Sequence, residues 1–183
     1  VQWLVGFRNS TSVVSGYLRD VVGIGLVGHE LQVYFDDSFV GNTTTSDSGI
    51  FSYDLFLERE TELGPHKVKV IFEGSELYTE SSEEVSSDVQ AATIFQVEDI
   101  EALRLHEFFI SAYLVDDLNN QMANQAVNMT FGNTKYPLVT DSTGFVQKNM
   151  TLSASRNLGI YTIFWDYNGY DYYLPATQEQ TLM

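Results

Sequence analysis

The chain has 183 residues, 44% of them hydrophobic, and its 25 acidic side chains outnumber nine basic ones to give a formal charge of −16. That apolar content supports packed cores and excludes a disordered chain, while the negative charge argues against nucleic acid or an anionic membrane surface as partner. Cysteine is absent, which excludes disulfide staples, thiol catalysis and cysteine-rich zinc sites together. No apolar run approaches the ~20 residues that span a bilayer as a helix, so no membrane insertion is expected within this segment. No basic-then-apolar leader opens the chain, and a first residue of Val1 reads as a mature product or an excerpt.

From the N terminus onward the apolar period is two, not 3.6, which predicts strands. Gly16 to Asp20 ends the first of these, and Gly23-Ile24-Gly25-Leu26-Val27-Gly28 follows it. The latter spells the G-x-G-x-x-G dinucleotide fingerprint, which needs a strand before it and a helix after it. Residues 29–35 instead continue as an alternating strand, so the glycines read as a turn. Ser46-Asp47-Ser48-Gly49 is turn chemistry, because Asp bonds its own backbone and Gly accepts positive φ. Phe51, Tyr53, Leu55 and Leu57 then alternate with Ser52, Asp54, Phe56 and Glu58; Val68, Val70 and Phe72 alternate with Lys67, Lys69 and Ile71. Val89 to Val97 contains no Gly or Pro and reads as one strand running almost directly into the next. Asp99 to Glu107 tolerates helix but is read as loop and strand.

The pattern returns at a period of about 95 residues, and self-similarity of this kind marks repeated structural units. Gly16 to Asp20 reappears as Ala112 to Asp116, Leu31 to Phe35 as Val127 to Phe131, and Ser46 to Gly49 as Asp141 to Gly144. Leu63 to Tyr78 reappears as Leu158 to Tyr173. Two domains are expected, 1–91 and 92–183. The inner face of the second copy is Val146, Lys148, Met150 and Leu152, then Ile163, Trp165 and Tyr167; Lys148 breaks it once. Tyr78 and Tyr173, each following a Gly corner, are expected to tuck their rings under the sandwich with the hydroxyl bonded to backbone.

Short strands separated by turn signals in units of this length predict an all-β fold, two tandem immunoglobulin-like antiparallel β-sandwiches. The unit resembles the immunoglobulin-like repeats of archaeal and bacterial cell-surface proteins. The matching positions are Thr140, Asp141, Gly144, Phe145, Gly159, Tyr161, Ile163, Tyr167, Gly169 and Tyr173, and in the first copy Asp47, Gly49, Gly64, Val68, Phe72, Gly74 and Tyr78. His66 stands where the second copy has Tyr161. The resemblance implies the fold and an extracellular, cell-surface setting. It leaves the function open, since such repeats serve as stalks, spacers, adhesins and appendages to enzymes.

No catalytic set, cofactor-binding motif or metal-ligand spacing is legible. His29, His66 and His106 fall in separate segments. Asp20, Asp36, Asp37, Asp47, Asp116, Asp117 and Asp141 sit in predicted loops, and Glu98, Asp99 and Glu101 lie near the seam. Clustered loop carboxylates are a starting point for calcium, but turn-forming Asp accounts for most of them. Four Asn-x-Ser/Thr sequons are candidate glycosylation sites: Asn9 and Asn42 in predicted loops, Asn128 and Asn149 on outward strand positions. Tyr170 and Tyr172 flank the turn at Gly169 and are candidates for ligand contact, with sugar rings as the stacking partner.

These features predict a non-catalytic extracellular structural module, a stalk, spacer or surface-assembly segment whose partners are neighbouring domains of the same or adjacent surface proteins. Two alternatives remain: an adhesin pair that binds glycan or protein, and a filament subunit assembling by strand addition.

Overall fold

The computed structural model describes residues 1–183, and every regular element in it is a strand apart from one 3-10 turn at Asp47–Gly49. The chain divides into two units, Val1–Gln90 and Ala91–Met183. Strand β8 (Ser81–Gln90) closes the first, and β9 (Thr93–Gln96) opens the second.

Unit 1 continues the list with β1 (Gln2–Trp3), β2 (Gly6–Phe7), β3 (Ser10–Tyr17), β4 (Glu30–Phe35), β5 (Ser38–Thr44), β6 (Ile50–Leu57) and β7 (Gly64–Phe72). They form two sheets of order β1-β3-β6 and β2-β8-β7-β4-β5. Neighbours are antiparallel except β2 and β8, which run parallel. The two-residue period decides what lies between the sheets. Phe51, Leu55 and Leu57 of β6 face inward with Val14 of β3, against Leu31, Val33, Val68, Val70 and Phe72 of the other sheet. Their alternates, including Ser52, Asp54 and the exposed Phe56, face solvent. Trp3 closes one side of the core and satisfies its indole N–H on the Ser12 hydroxyl at 2.9 Å.

Unit 2 repeats the plan with β10 (Glu107–Asp116), β11 (Ala126–Phe131), β12 (Thr134–Val139), β13 (Phe145–Thr151), β14 (Tyr161–Tyr167) and β15 (Ala176–Leu182). Its sheets have the order β13-β10-β9 and β12-β11-β14-β15. Trp165 lies at the centre, fully buried, with Ile163, Met129, Ile110 and Leu114 around it. Its indole N–H donates to Gln180 Oε1 at 2.9 Å. Gln180 is itself buried and sends its amide N–H groups to the carbonyls of Glu98 and Ser111. One amide side chain on β15 thus ties the opposite sheet and the chain's crossing segment to the central indole. Each unit is an immunoglobulin-like sandwich.

Some expectations take a different form. Asn42 lies within β5 rather than a loop, exposed, with its amide donating to Glu30 at 3.0 Å. Lys148 does point inward, but from β13, which is an edge strand; its ammonium sits 5.3 Å above the Tyr136 ring. An inward charge on an edge strand blocks further pairing, and the ring offsets its partial desolvation. Tyr78 and Tyr173 pack half-buried against their cores. The tyrosine hydroxyls that bond backbone are instead those of Tyr53, to Val40 O at 2.6 Å, and Tyr161, to Asn157 O at 2.5 Å.

The separation of the two cores generates a stability prediction. Replacing the buried Trp165 by Ala should cost unit 2 about 3–5 kcal/mol. The chain has two tryptophans, so the variant retains only Trp3, whose fluorescence then reports unit 1 alone. The Trp3 transition in urea should stay where it is while circular dichroism records an earlier loss of the other half. A Trp3 transition that moves with unit 2 would contradict separate cores.

Candidate functional site

Several of the loop carboxylates are committed to backbone N–H groups. Asp20 Oδ1 accepts the N–H groups of Val22 and Ile24 at 3.0 and 2.8 Å. At the repeat-related position, Asp116 Oδ1 accepts those of Leu118 and Asn120 at 3.0 and 2.7 Å. Asp99 caps the N–H of Thr181 at 2.9 Å. No group of three or more His, Asp or Glu side chains converges in a way that would hold a metal ion. The histidines are equally dispersed: His29 packs edge-on to Phe72 and Tyr78, His66 binds Asp36, and His106 is exposed. Gly23, Gly25 and Gly28 lie in a turn that leads into β4, with no helix to receive a phosphate.

What the loops build is a corner, made the same way twice. In unit 2 the buried Thr140 hydroxyl donates to Met122 O at 2.6 Å and accepts the N–H of Gln125. Four residues on, Gly144 adopts φ 70°, and its carbonyl accepts from Leu114 N. A Cβ there would sit 2.7 Å from Leu114 O, so only glycine fits both the left-handed backbone and the close approach. In unit 1 the Thr45 hydroxyl likewise accepts a backbone N–H, that of His29, but donates back to His29 O at 3.4 Å, and Gly49 adopts φ 71° with its carbonyl bonded by Leu18 N. Between them in unit 2, Asp141 Oδ1 accepts the Thr143 hydroxyl and N–H and the Phe145 N–H. The Thr143 hydroxyl, then these backbone donors, hold the Asp141 carboxyl below the usual range.

A second corner shows one geometry reached by two chemistries. Tyr161 at the start of β14 reaches back four residues to Asn157 O, the tyrosine corner of immunoglobulin sandwiches. His66 in β7 makes the same reach, Nε2 to Glu62 O at 2.8 Å, while Nδ1 meets Asp36 Oδ2. Its ring also stacks on Phe35 at 5.1 Å. In unit 2 the Arg156 guanidinium covers both Tyr161 and Phe131 at 4.4 and 4.6 Å.

Among the sequons, Asn9, Asn42 and Asn149 are exposed and Asn128 is half-buried on the central strand β11. Tyr170 is 71% exposed, whereas Tyr172 is half-buried and its carbonyl is bonded by Ala91 N–H. The two rings therefore do not form an equally open pair.

Both units also pair their first segment, in parallel sense, with the segment that closes them. In unit 1, Gly6 and Phe7 lie parallel to Val89 and Gln90, and Arg8 N–H donates to Gln90 O at 3.1 Å. In unit 2, Ala91 bridges Tyr173 and Ile100 bridges Leu182, both in parallel sense. Ala91 N–H donates to Tyr172 O and Leu174 N–H to Ala91 O, at 2.9 Å each. Ile100 N–H to Thr181 O, Met183 N–H to Ile100 O and Ala102 N–H to Met183 O follow at 2.8–2.9 Å. The signal for this was available in the apolar ends Val89 and Leu182, but parallel pairing over such short segments leaves no periodicity to read.

No protein-family model and no curated protein sequence matches the chain. Solved structures match nearly its whole length. A glutamate-to-alanine variant of a three-immunoglobulin fragment of titin is 10% identical, with 98% of this chain and 61% of that one covered and a TM-score of 0.56. An I-band fragment of titin gives 10% identity, 98% and 61% coverage and a TM-score of 0.55. FdeC, a broadly conserved Escherichia coli adhesin, gives 12% identity, 100% and 63% coverage and a TM-score of 0.51. The chain spans less than two thirds of the length of each. The likeness is one of fold, tandem immunoglobulin-like sandwiches.

The Asp141 network predicts a pH dependence. A carboxyl whose folded pKa is depressed contributes stability above its unfolded pKa, and the contribution is lost as pH falls through the folded value. Unit 2 should therefore lose stability as pH drops below about 4, the ordinary Asp value. Asp141→Asn should lower the unit 2 melting temperature at pH 7 and flatten its acid limb. Identical acid limbs in the two proteins, followed by thermal melts from pH 7 to pH 2, would contradict this role.

Proposed function

We propose that the chain is a non-catalytic structural module of a cell-surface protein, a stalk or spacer segment that bears tension between its ends. The parallel pairing of first and last segments in each unit carries the reading. Tension pulls the first segment and the last strand in opposite directions along their length. Because the two run parallel, their hydrogen bonds are loaded together in shear rather than opened one after another, so a unit yields only when the whole set fails. The antiparallel alternative would unzip from one end.

The rest of the molecule supports this use. No nucleophile and base are brought together, and the ionisable side chains of the loops serve turns. The acidic composition and the exposed Asn9, Asn42 and Asn149 suit an extracellular surface able to carry glycan. FdeC, with the same fold, is an adhesin. Filament growth by strand addition is disfavoured at three of the edge strands: β5 carries a register shift, β12 carries Pro137, and β13 carries the inward Lys148. An adhesive role through the open ring of Tyr170 is the second reading, and a blank glycan array would remove its sugar-binding form.

Pulling single chains by their termini tests the load-bearing role, since forced unfolding reads the barrier rather than the equilibrium. Two unfolding events are expected, one for each unit. Ile100→Pro deletes the donor to Thr181 O and should lower the force at which unit 2 yields while leaving unit 1 unchanged. Unfolding forces that ignore Ile100→Pro would overturn the reading.

A further inference from the structure

Of the asparagines in the chain, Asn168 alone is followed by glycine. An Asn-Gly pair is chemically labile, because a glycine has no Cβ to keep its amide nitrogen away from the preceding side-chain carbonyl carbon. The structure leaves both reacting groups open. Asn168 lies just beyond β14 and is exposed, with no hydrogen bond to its side-chain amide. The Gly169 N–H has no acceptor, whereas the N–H of Tyr170 beside it donates to Tyr173 O at 3.1 Å.

The other asparagines are held back. Asn124 and Asn119 would be attacked by the nitrogens of Gln125 and Asn120. The first of these donates to Thr140 Oγ1 at 2.9 Å and the second to Asp116 Oδ1 at 2.7 Å. Asn42, Asn128 and Asn149 lie within strands, where the ladder keeps the backbone extended. Asn133 and Asn157 precede Thr134 and Leu158, whose side chains crowd the attacking nitrogen.

We infer that Asn168 is a site of spontaneous deamidation in the folded protein. The Gly169 nitrogen gives its proton to water and attacks Asn168 Cγ. The new N–C bond closes a succinimide ring, and the side-chain nitrogen leaves as ammonia. Water then opens the ring at one of its two carbonyls. Opening at the side-chain carbonyl leaves aspartate at 168. Opening at the backbone carbonyl leaves isoaspartate, whose main chain runs through the side chain and is one carbon longer. One water enters and one ammonia departs, with no change of oxidation state and no reactant beyond solvent.

The repeat and the packing distinguish the two products. At the position of Asn168, unit 1 has Glu73, followed by Gly74 at φ 91° where Gly169 has φ 82°. A carboxylate therefore suits this corner, and the aspartyl product leaves it intact. The isoaspartyl product does not fit. Gly169 lies so close to the returning chain that a Cβ on it would sit 2.6 Å from Tyr173 O and 3.0 Å from Pro175 N. A longer backbone before Gly169 pushes it against that return. Tyr172 O and Leu174 N–H, on either side of Tyr173, are the groups that bond Ala91. Isoaspartate at 168 thus loosens the pairing with which unit 2 begins.

Peptide mapping by mass spectrometry tests this on the intact chain, incubated at mildly alkaline pH in water enriched in oxygen-18. The Asn168 peptide should exchange amide for carboxyl, take up one heavy oxygen and divide into aspartyl and isoaspartyl forms, before any other asparagine converts. Asn168→Gln should stay unchanged at this position. The same chain unfolded in guanidinium chloride gives the rate that the sequence alone permits. Asn168 that stays intact in the folded protein while the unfolded chain converts would overturn the inference. Amide exchange reads the consequence: Ala91 and Leu174 should lose protection in the separated isoaspartyl protein and keep it in Asn168→Asp. Equal protection in both would overturn the link to the Ala91 pairing.

Discussion

Each sandwich is closed by dividing its first segment between its two sheets. β1 pairs with β3 in one sheet, and the chain then crosses so that β2 pairs with β8 in the other. β9 pairs with β10, and after the crossing Ile100 bridges Leu182. Two facing sheets hold together by side-chain packing alone, so a continuous segment bonded to both resists their separation with backbone hydrogen bonds as well. The core is arranged around this crossing. Trp3 and Phe95 sit on the segments themselves and are buried. In unit 2, Gln180 bonds the carbonyl of Glu98 inside the crossing while accepting from Trp165 at the centre. The same arrangement fixes the direction in which the last strand runs beside the first, and the response to tension follows from that direction.

The polar chemistry serves the loops around this frame. Asp20, Asp116 and Asp141 each accept several N–H groups that a tight turn leaves unpaired, and Thr45 and Thr140 fill the corner beneath them. A carboxylate occupied in this way is poorly placed to act as a base or to join a cation cage. The excess acidity of the chain therefore reads as surface and turn chemistry.

Much of the fold was legible because period-two alternation and the 95-residue repeat are local and redundant: Phe51 to Leu57 and Val146 to Leu152 announce the same strand independently. The turn before it was legible for the same reason, Ser46 to Gly49 returning as Asp141 to Gly144. What escaped were interactions between segments far apart in sequence. Gln180 occupies an inward position of β15, but nothing local says that its partners are Trp165, Glu98 and Ser111. Lys148 looked like a defect until its strand proved to be an edge beside Tyr136. His66 was seen to replace Tyr161, yet only the three-dimensional structure shows that both bond the carbonyl four residues back. The tyrosine hydroxyls were assigned to the wrong rings because Tyr53 and Tyr161 find their carbonyls through strand register and loop path.

Amide hydrogen exchange measured by NMR on the intact chain tests the central claim most directly. The N–H groups of Arg8 in unit 1 and of Ile100 and Met183 in unit 2 donate across the junction of first segment and last strand. If that junction closes each sandwich, these amides should exchange only when their own unit unfolds globally, as slowly as Val33 and Ile163 in the respective cores. Exchange at loop-like rates, while Val33 and Ile163 stay protected, would show that the terminal segments fray freely and would contradict the account.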